Sequence, residues 1–234
     1  MPLLHNLSMN QTRMRQVINN FLNITQMTDN NYTLILASAS PRRIELLGAA
    51  GFDPVVKPAS ISEELPFPMK PETAVMYLAL SKGTAVAEEV TGKPYDSGRD
   101  WPPSGKGLKI IAADTVVVHD GRIIGKPEDK KQAFEILTAL RGTSHNVITG
   151  CCVITVEPGS PLETASKECF YENTRVFFTD YSDEELMAYV KTDEPYDKAG
   201  GYAIQETFGK YVDHYEGDYD NVIGLPLSRL KNYL

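Results

Sequence analysis

The chain has 234 residues, 42% hydrophobic and 23% charged, with 31 acidic against 23 basic side chains and a net charge of -8. That length and apolar fraction suffice for a substantial core, whereas the acidic balance disfavours a nonspecific nucleic-acid binder, which needs a basic surplus. No apolar run reaches membrane-spanning length, and the first residues lack a secretory apolar stretch. A cytoplasmic location is therefore expected, with nuclear access open, and neither membrane nor nucleic acid is expected as a partner. Cys151, Cys152 and Cys169 form no Cys-x-x-Cys pair. In apolar, strand-like surroundings they read as buried free thiols suited to a reducing compartment.

Residues 1–31 are rich in Asn, Gln, Thr and Met, with partial helical spacing at Met14, Val17, Ile18, Phe21 and Leu22. They read as an N-terminal extension to a domain spanning 32–234. Leu34-Ile35-Leu36 predicts a short strand, and the next segment, Ala37-Ser38-Ala39-Ser40-Pro41-Arg42-Arg43, opens an amphipathic helix to about Ala50. Ser40 suits the N-cap and Pro41 the first helical position, where a missing N–H costs nothing. Free N–H groups and the helix dipole favour an anion there. Arg42 and Arg43 are unfavourable in a first turn unless an anion compensates them, and a guanidinium fork matches phosphate oxygens. A plain cap with solvated charges is the other reading of this segment alone.

Pro54-Val55-Val56 predicts a second strand leading to the acidic loop Ser60-Ile61-Ser62-Glu63-Glu64, and a long helix follows from about Pro71 to Val90. Residues 91–107, with Pro94, Pro102, Pro103 and several glycines, read as a surface insertion. Lys109 to Val118 is an apolar run with Asp114 inside it, as in a buried strand. His119-Asp120-Gly121-Arg122 turns into a short strand, Ile123-Ile124. Pro127 to Leu140 fits a helix with Ala133, Phe134, Ile136, Leu137 and Leu140 on its apolar face. Strands are predicted over Val147–Val156 and Glu168–Phe178. Ser182 and Glu185 form a capping box for a helix reaching Lys191, and a last helix covers Leu227–Leu234. Strands alternating with helices, some strands adjacent, imply an α/β fold with a mixed sheet.

A carboxylate inside an apolar run is costly unless paired, hydrogen-bonded or metal-bound, so Asp114 is the sharpest acid. Glu63, Lys126 and the pair Asp197-Lys198 also stand at or near ends of predicted elements, and Lys82 lies within the predicted helix Pro71 to Val90. Together such groups suit phosphoryl transfer: cations offset a polyphosphate, carboxylates hold a divalent ion, and an acid activates water. No GxxxxGK[ST] loop is present, and no histidine sits beside a nucleophile motif. His145 reads as a structural hydrogen-bonder.

Four stretches in order resemble the Maf family of nucleoside triphosphate pyrophosphatases. They are Leu36-Ala37-Ser38-Ala39-Ser40-Pro41-Arg42-Arg43, Ala113-Asp114-Thr115-Val116-Val117, Gly125-Lys126-Pro127, and Asp197-Lys198-Ala199-Gly200-Gly201-Tyr202-Ala203-Ile204-Gln205. The likeness continues through Asn221-Val222-Ile223-Gly224-Leu225-Pro226-Leu227. It implies an elongated mixed sheet flanked by helices, two lobes around a central cleft, and a homodimer. It also implies hydrolysis of a nucleoside triphosphate to monophosphate and pyrophosphate with Mg2+ or Mn2+. By the same resemblance Asp114 falls on the proton acceptor, and Arg43, Lys82 and Lys126 on phosphate-contacting cations. Ser38 falls on a serine lining the pocket, and Glu63 on an acid serving metal or water. Asp114 stays open as base or metal ligand. Arg42, Thr115 and Gln205 resemble the branch acting on dTTP and UTP, sometimes CTP. The alternatives are the same chemistry on 7-methyl-GTP or other modified purines, and a nucleotide-binding regulator of cell division that does not hydrolyse. Ala203, where the family pattern has glycine, matters if that position needs a positive φ.

Overall fold

The computed structural model describes residues 31–92 and 105–234. Residues 1–30 of the predicted extension and 93–104 of the predicted insertion lie outside these residues. One mixed seven-stranded sheet organises the rest, in the order β2-β1-β3-β5-β6-β7, with β4 paired to β3. Its strands are β1 (Tyr32–Leu36), β2 (Val55–Val56), β3 (Gly107–His119), β4 (Arg122–Ile124), β5 (Ser144–Val156), β6 (Ser166–Phe178) and β7 (Val212–Glu216). β1 runs parallel to both β2 and β3, whereas the β3-β5-β6-β7 half is antiparallel. The helices are α1 (Pro41–Ala49), α2 (Pro71–Gly92), α3 (Lys130–Leu140), α4 (Asp183–Tyr189), α5 (Tyr219–Ile223) and α6 (Leu227–Leu230).

Three strands of 13 residues, β3, β5 and β6, tie the molecule together. At one end their two faces alternate between two cores, as period-two side chains must. One face packs Ile110, Ala112, Cys152 and Ile154 against Ala79, Val86 and Val90 of α2. The other packs Ile111, Ala113, Cys151 and Val153 with Leu47 of α1 and Leu230 of α6. At the far end a third core gathers Val117, Leu137 and Leu140 with Phe178, Tyr181, Tyr189, Tyr202 and Phe208. Asp114 lies on β3 between the paired cores and this aromatic one. The mixed sheet and flanking helices match the predicted fold.

Local details differ from the sequence reading in instructive ways. Ser40 holds the N-cap position with Pro41 next, but its side chain caps nothing. The third helix starts at Lys130 rather than Pro127, because the Asp129 carboxylate accepts the Gln132 N–H and supplies the cap. The Ser182–Glu185 capping box is present, and its helix stops at Tyr189. After Leu230 the last helix tightens into a 3-10 turn, Lys231–Tyr233. Gly107, placed in the insertion, begins β3. Asp120 and Gly121 form the β3-β4 hairpin turn with φ of +48° and +74°, as such two-residue turns require. Ala203 does not take a positive φ; Gly200 and Gly201 do, at +71° and +75°. Cys151 and Cys152 are buried, but Cys169, opposite Cys152 on β6, is exposed, because it lies in the exposed first stretch of that strand, Ser166 to Cys169.

Candidate active site

A cavity of about 670 Å³ opens between the paired cores and the aromatic core. Ser38, Arg42 and Arg43 line it from the turn into α1, and Glu63 and Lys82 from the acidic loop and α2. Asp114 and Thr115 enter from β3, Lys126 from the segment after β4, and Gln205 from the far lobe. Every site residue expected from the sequence therefore reaches one cavity.

Lys82 links the two acids. Its Nζ lies 2.7 Å from Asp114 Oδ1 and 2.6 Å from Glu63 Oε1. Asp114 is 8% exposed, so its pairing answers the desolvation cost of a carboxylate on an apolar strand. Hydrogen bonding to Lys82, opposed by burial and aided by Lys126 and Arg43, holds the Glu63 carboxyl below its ordinary value. Lys126 makes no ion pair within the described residues and stays exposed at the cavity wall. Three cations, Arg43, Lys82 and Lys126, thus face two carboxylates. That leaves positive charge for a polyanion.

Arg43 is fixed without a carboxylate hydrogen bond. Its Nε donates to the Gly224 carbonyl (2.9 Å), Nη1 to Ser38 Oγ (3.1 Å) and Nη2 to Thr115 Oγ1 (3.1 Å). Burial is the main influence lowering its pKa, with Asp114 pulling the other way. Ser38 Oγ also accepts the Ser40 N–H at 3.2 Å. With both acceptor sites used, its hydroxyl proton is free to donate. The start of α1 adds unpaired backbone N–H groups beside these side chains, a favourable place for phosphate oxygens.

Behind Arg43 runs a hydrogen-bond chain that the sequence reading missed. Thr115 Oγ1 lies 2.9 Å from Thr149 Oγ1, which donates to the Asn221 carbonyl at 3.0 Å. Asn221 in turn donates to the Val147 carbonyl and Thr174 Oγ1. The direction is set at the far end: Thr149 spends its one proton on the Asn221 carbonyl, so Thr115 donates to Thr149 while accepting from Arg43. Thr149 is fully buried. A threonine inside the apolar run Val147–Val156 carries the same signal that singled out Asp114.

Arg42 behaves differently from its neighbour. Its Nη1 meets Asp197 Oδ2 at 3.2 Å and Glu206 Oε1 at 3.7 Å, so its compensating charge comes from the protein. Burial works to raise the Asp197 carboxyl, but Lys198 and Arg42 outweigh it and hold it low. His145 is a structural residue, as expected. It is buried, stacks edge-on with Phe178 and Tyr202, and shares a 2.6 Å hydrogen bond with Tyr202 Oη.

No three or more His, Cys, Asp or Glu side chains cluster as metal ligands among the described residues. Glu63 and Asp114 nevertheless converge on one ammonium. Two hard carboxylate donors open to a cavity fit Mg2+ or Mn2+, which take one or two carboxylates and complete their shell with phosphate and water. No helix among the described residues is long and apolar enough to cross a membrane.

Known proteins share this arrangement of sequence. The chain is 40% identical to a dTTP/UTP pyrophosphatase of Exiguobacterium sibiricum, across 87% of this chain and 91% of that protein. It is 42% identical to a dTTP/UTP pyrophosphatase of Desulfitobacterium hafniense, across 86% and 83%. A third dTTP/UTP pyrophosphatase, from Bacillus cereus, is 37% identical across 89% and 92%. The sequence model for Maf-like proteins matches residues 33–234, the span that builds both walls of the cavity, and the chain belongs to that family.

Proposed function

We propose that this protein hydrolyses dTTP and UTP to the nucleoside monophosphate and pyrophosphate. The observation that carries the reading is the convergence of Arg43, Lys82, Lys126, Glu63 and Asp114, from five separate segments, on one cavity. The names of the relatives support the same substrates.

Arg43 and the start of α1 hold phosphate oxygens, with the Ser38 hydroxyl as a further donor. Lys126 and Lys82 offset the negative charge that gathers on the departing pyrophosphate. Water attacks one phosphorus of the α–β anhydride. The P–O bond to the leaving group breaks, and Asp114 takes a water proton. Glu63 and Asp114 would hold a divalent cation, Mg2+ or Mn2+, whose chemistry is to neutralise the triphosphate and polarise its oxygens. Lys82, within hydrogen-bond distance of both acids, holds the two carboxylates in place. At the other end Gln205 offers an amide donor and acceptor to a pyrimidine edge, and the small Thr115 leaves room beside Asp114. A site that hydrogen-bonds its substrate discriminates strongly against a mismatched edge.

The test is turnover of UTP, dTTP, CTP, GTP and 7-methyl-GTP with Mg2+ or Mn2+, products being separated by anion exchange. UMP or dTMP appearing in equal amount with pyrophosphate is expected. Release of orthophosphate and a diphosphate, or turnover confined to purines, would overturn the reading.

A further inference from the structure

Arg42, Asp197, Lys198 and Glu206 close a ring of alternating charge at the Gln205 end of the cavity. Lys198 Nζ lies 2.6 Å from Asp197 Oδ1 and 2.9 Å from Glu206 Oε2, while Arg42 bridges the other oxygen of each acid. Lys198 also donates to the Glu194 carbonyl at 2.6 Å. Two cations thus balance two carboxylates. Lys198 is only 6% exposed, so it cannot exchange these partners for water at low cost.

The ring joins elements that lack a covalent reason to stay together. Arg42 belongs to α1, beside the paired cores, whereas the other three belong to the lobe of the aromatic core. Glu206 is also the closing residue of a turn. Its N–H donates to the Ala203 carbonyl at 3.2 Å, which puts Ile204 and Gln205 at the corner. Thr207 Oγ1, on the far side of Glu206, donates to Glu194 Oε1 at 2.6 Å. The Gln205 amide itself has no hydrogen-bond partner among the described residues and faces the cavity. Nothing in its own side chain fixes how far it reaches. The turn does that.

We propose that Glu206, clamped between Arg42 and Lys198, is a positioning residue that sets the reach of Gln205 and hence the choice of nucleobase. The proposal rests on the reading of Gln205 as the base-facing residue of a pyrimidine triphosphate pyrophosphatase. On this proposal the held turn sets Gln205 at the reach of a single-ring base. With the clamp opened, the turn moves outward and a two-ring base is admitted. A displacement of about 1 Å in a positioning element costs up to about 100-fold.

Steady-state kinetics of the full-length protein on UTP and GTP test this. The variants are Glu206→Gln, Glu206→Asp and Lys198→Met, each checked for folding by circular dichroism. Glu206 is part-exposed, and the Gln variant keeps its shape, so that protein should fold. Glu206→Gln is expected to raise KM for UTP about tenfold, with the loss falling on KM more than on kcat. It should also lower the ratio of kcat/KM for UTP over GTP by about tenfold. Lys198→Met should shift the ratio in the same direction, and Glu206→Asp should restore part of it. A ratio unchanged in Glu206→Gln, with UTP and GTP affected in parallel, would sink the positioning role alone. A wild-type protein with no pyrimidine turnover would sink the functional reading and this inference together.

Discussion

The Lys82 ammonium lies 2.7 Å from the Asp114 carboxylate, joining the middle of α2 to the middle of β3. The pair sits where the sheet passes from the paired cores to the aromatic one. Asp114→Asn keeps the shape of the side chain and an oxygen facing Lys82, but it cannot accept a proton. It should lower kcat by about 10² to 10⁴ while leaving the thermal midpoint within a few degrees, since Glu63 still pairs with Lys82. Turnover and a thermal melt on the same preparation check both halves. Undiminished turnover would remove Asp114 from the chemistry.

The reach of Lys82 depends on a residue with no side chain. Gly150 is the register partner of Asp114 on β5, and α2 crosses directly over it. A Cβ at Gly150 would stand 2.6 Å from the Met76 nitrogen and the Val75 carbonyl oxygen, well inside contact distance and against backbone that cannot rotate away. Gly150→Ala should therefore cost about 1–3 kcal/mol through overpacking. It should also lower kcat/KM, because Lys82 lies two turns further along the displaced helix. Urea unfolding and kinetics measure the two effects. Wild-type stability would show that α2 yields more readily than this contact implies.

What the chain revealed beforehand follows from the range of each interaction. β1, α1 and β3 were legible because an apolar run, a Ser-Pro start and an acid among aliphatics are local signals. β7 was not: Val-Asp-His-Tyr-Glu has one aliphatic residue and four exposed positions, and it is a strand only because it pairs with the backbone of β6. The cavity residues could be named singly, yet their partners could not. Arg42 and Asp197 are 155 residues apart, and nothing local distinguishes a ligand-seeking arginine from one already matched. Thr149 was within reach, since a hydroxyl in a buried strand demands a partner as Asp114 did.

Acid should disturb the Glu63–Lys82 pair late. The Glu63 carboxyl is held below its ordinary 4.5, chiefly by the Lys82 hydrogen bond. A depressed folded-state pKa means the pair's contribution is complete above 4.5 and is lost as pH falls through the lower folded value. The difference in unfolding free energy between wild type and Glu63→Gln should thus be flat from pH 7 to 5 and shrink only below about 4.5. A gap already closing near pH 6 would mean that Glu63 is not held by Lys82 in solution.

His145 should make the aromatic core sensitive to milder acid. Burial pushes its pKa down from 6.5 to about 3, with His119 adding a smaller push in the same direction. Between these values the unfolded chain binds a proton that the folded protein refuses, so protons favour unfolding. The contribution of the neutral imidazole is whole above pH 6.5 and is lost progressively as pH falls towards 3, at up to about 1.4 kcal/mol per pH unit. His145→Gln removes the titration while keeping a group that can bond Tyr202 Oη. Chemical unfolding at pH 7 and pH 5 should show the wild type losing stability relative to this variant on acidification. Parallel curves for the two proteins would place His145 in contact with water, outside the core that Phe178 and Tyr202 form around it.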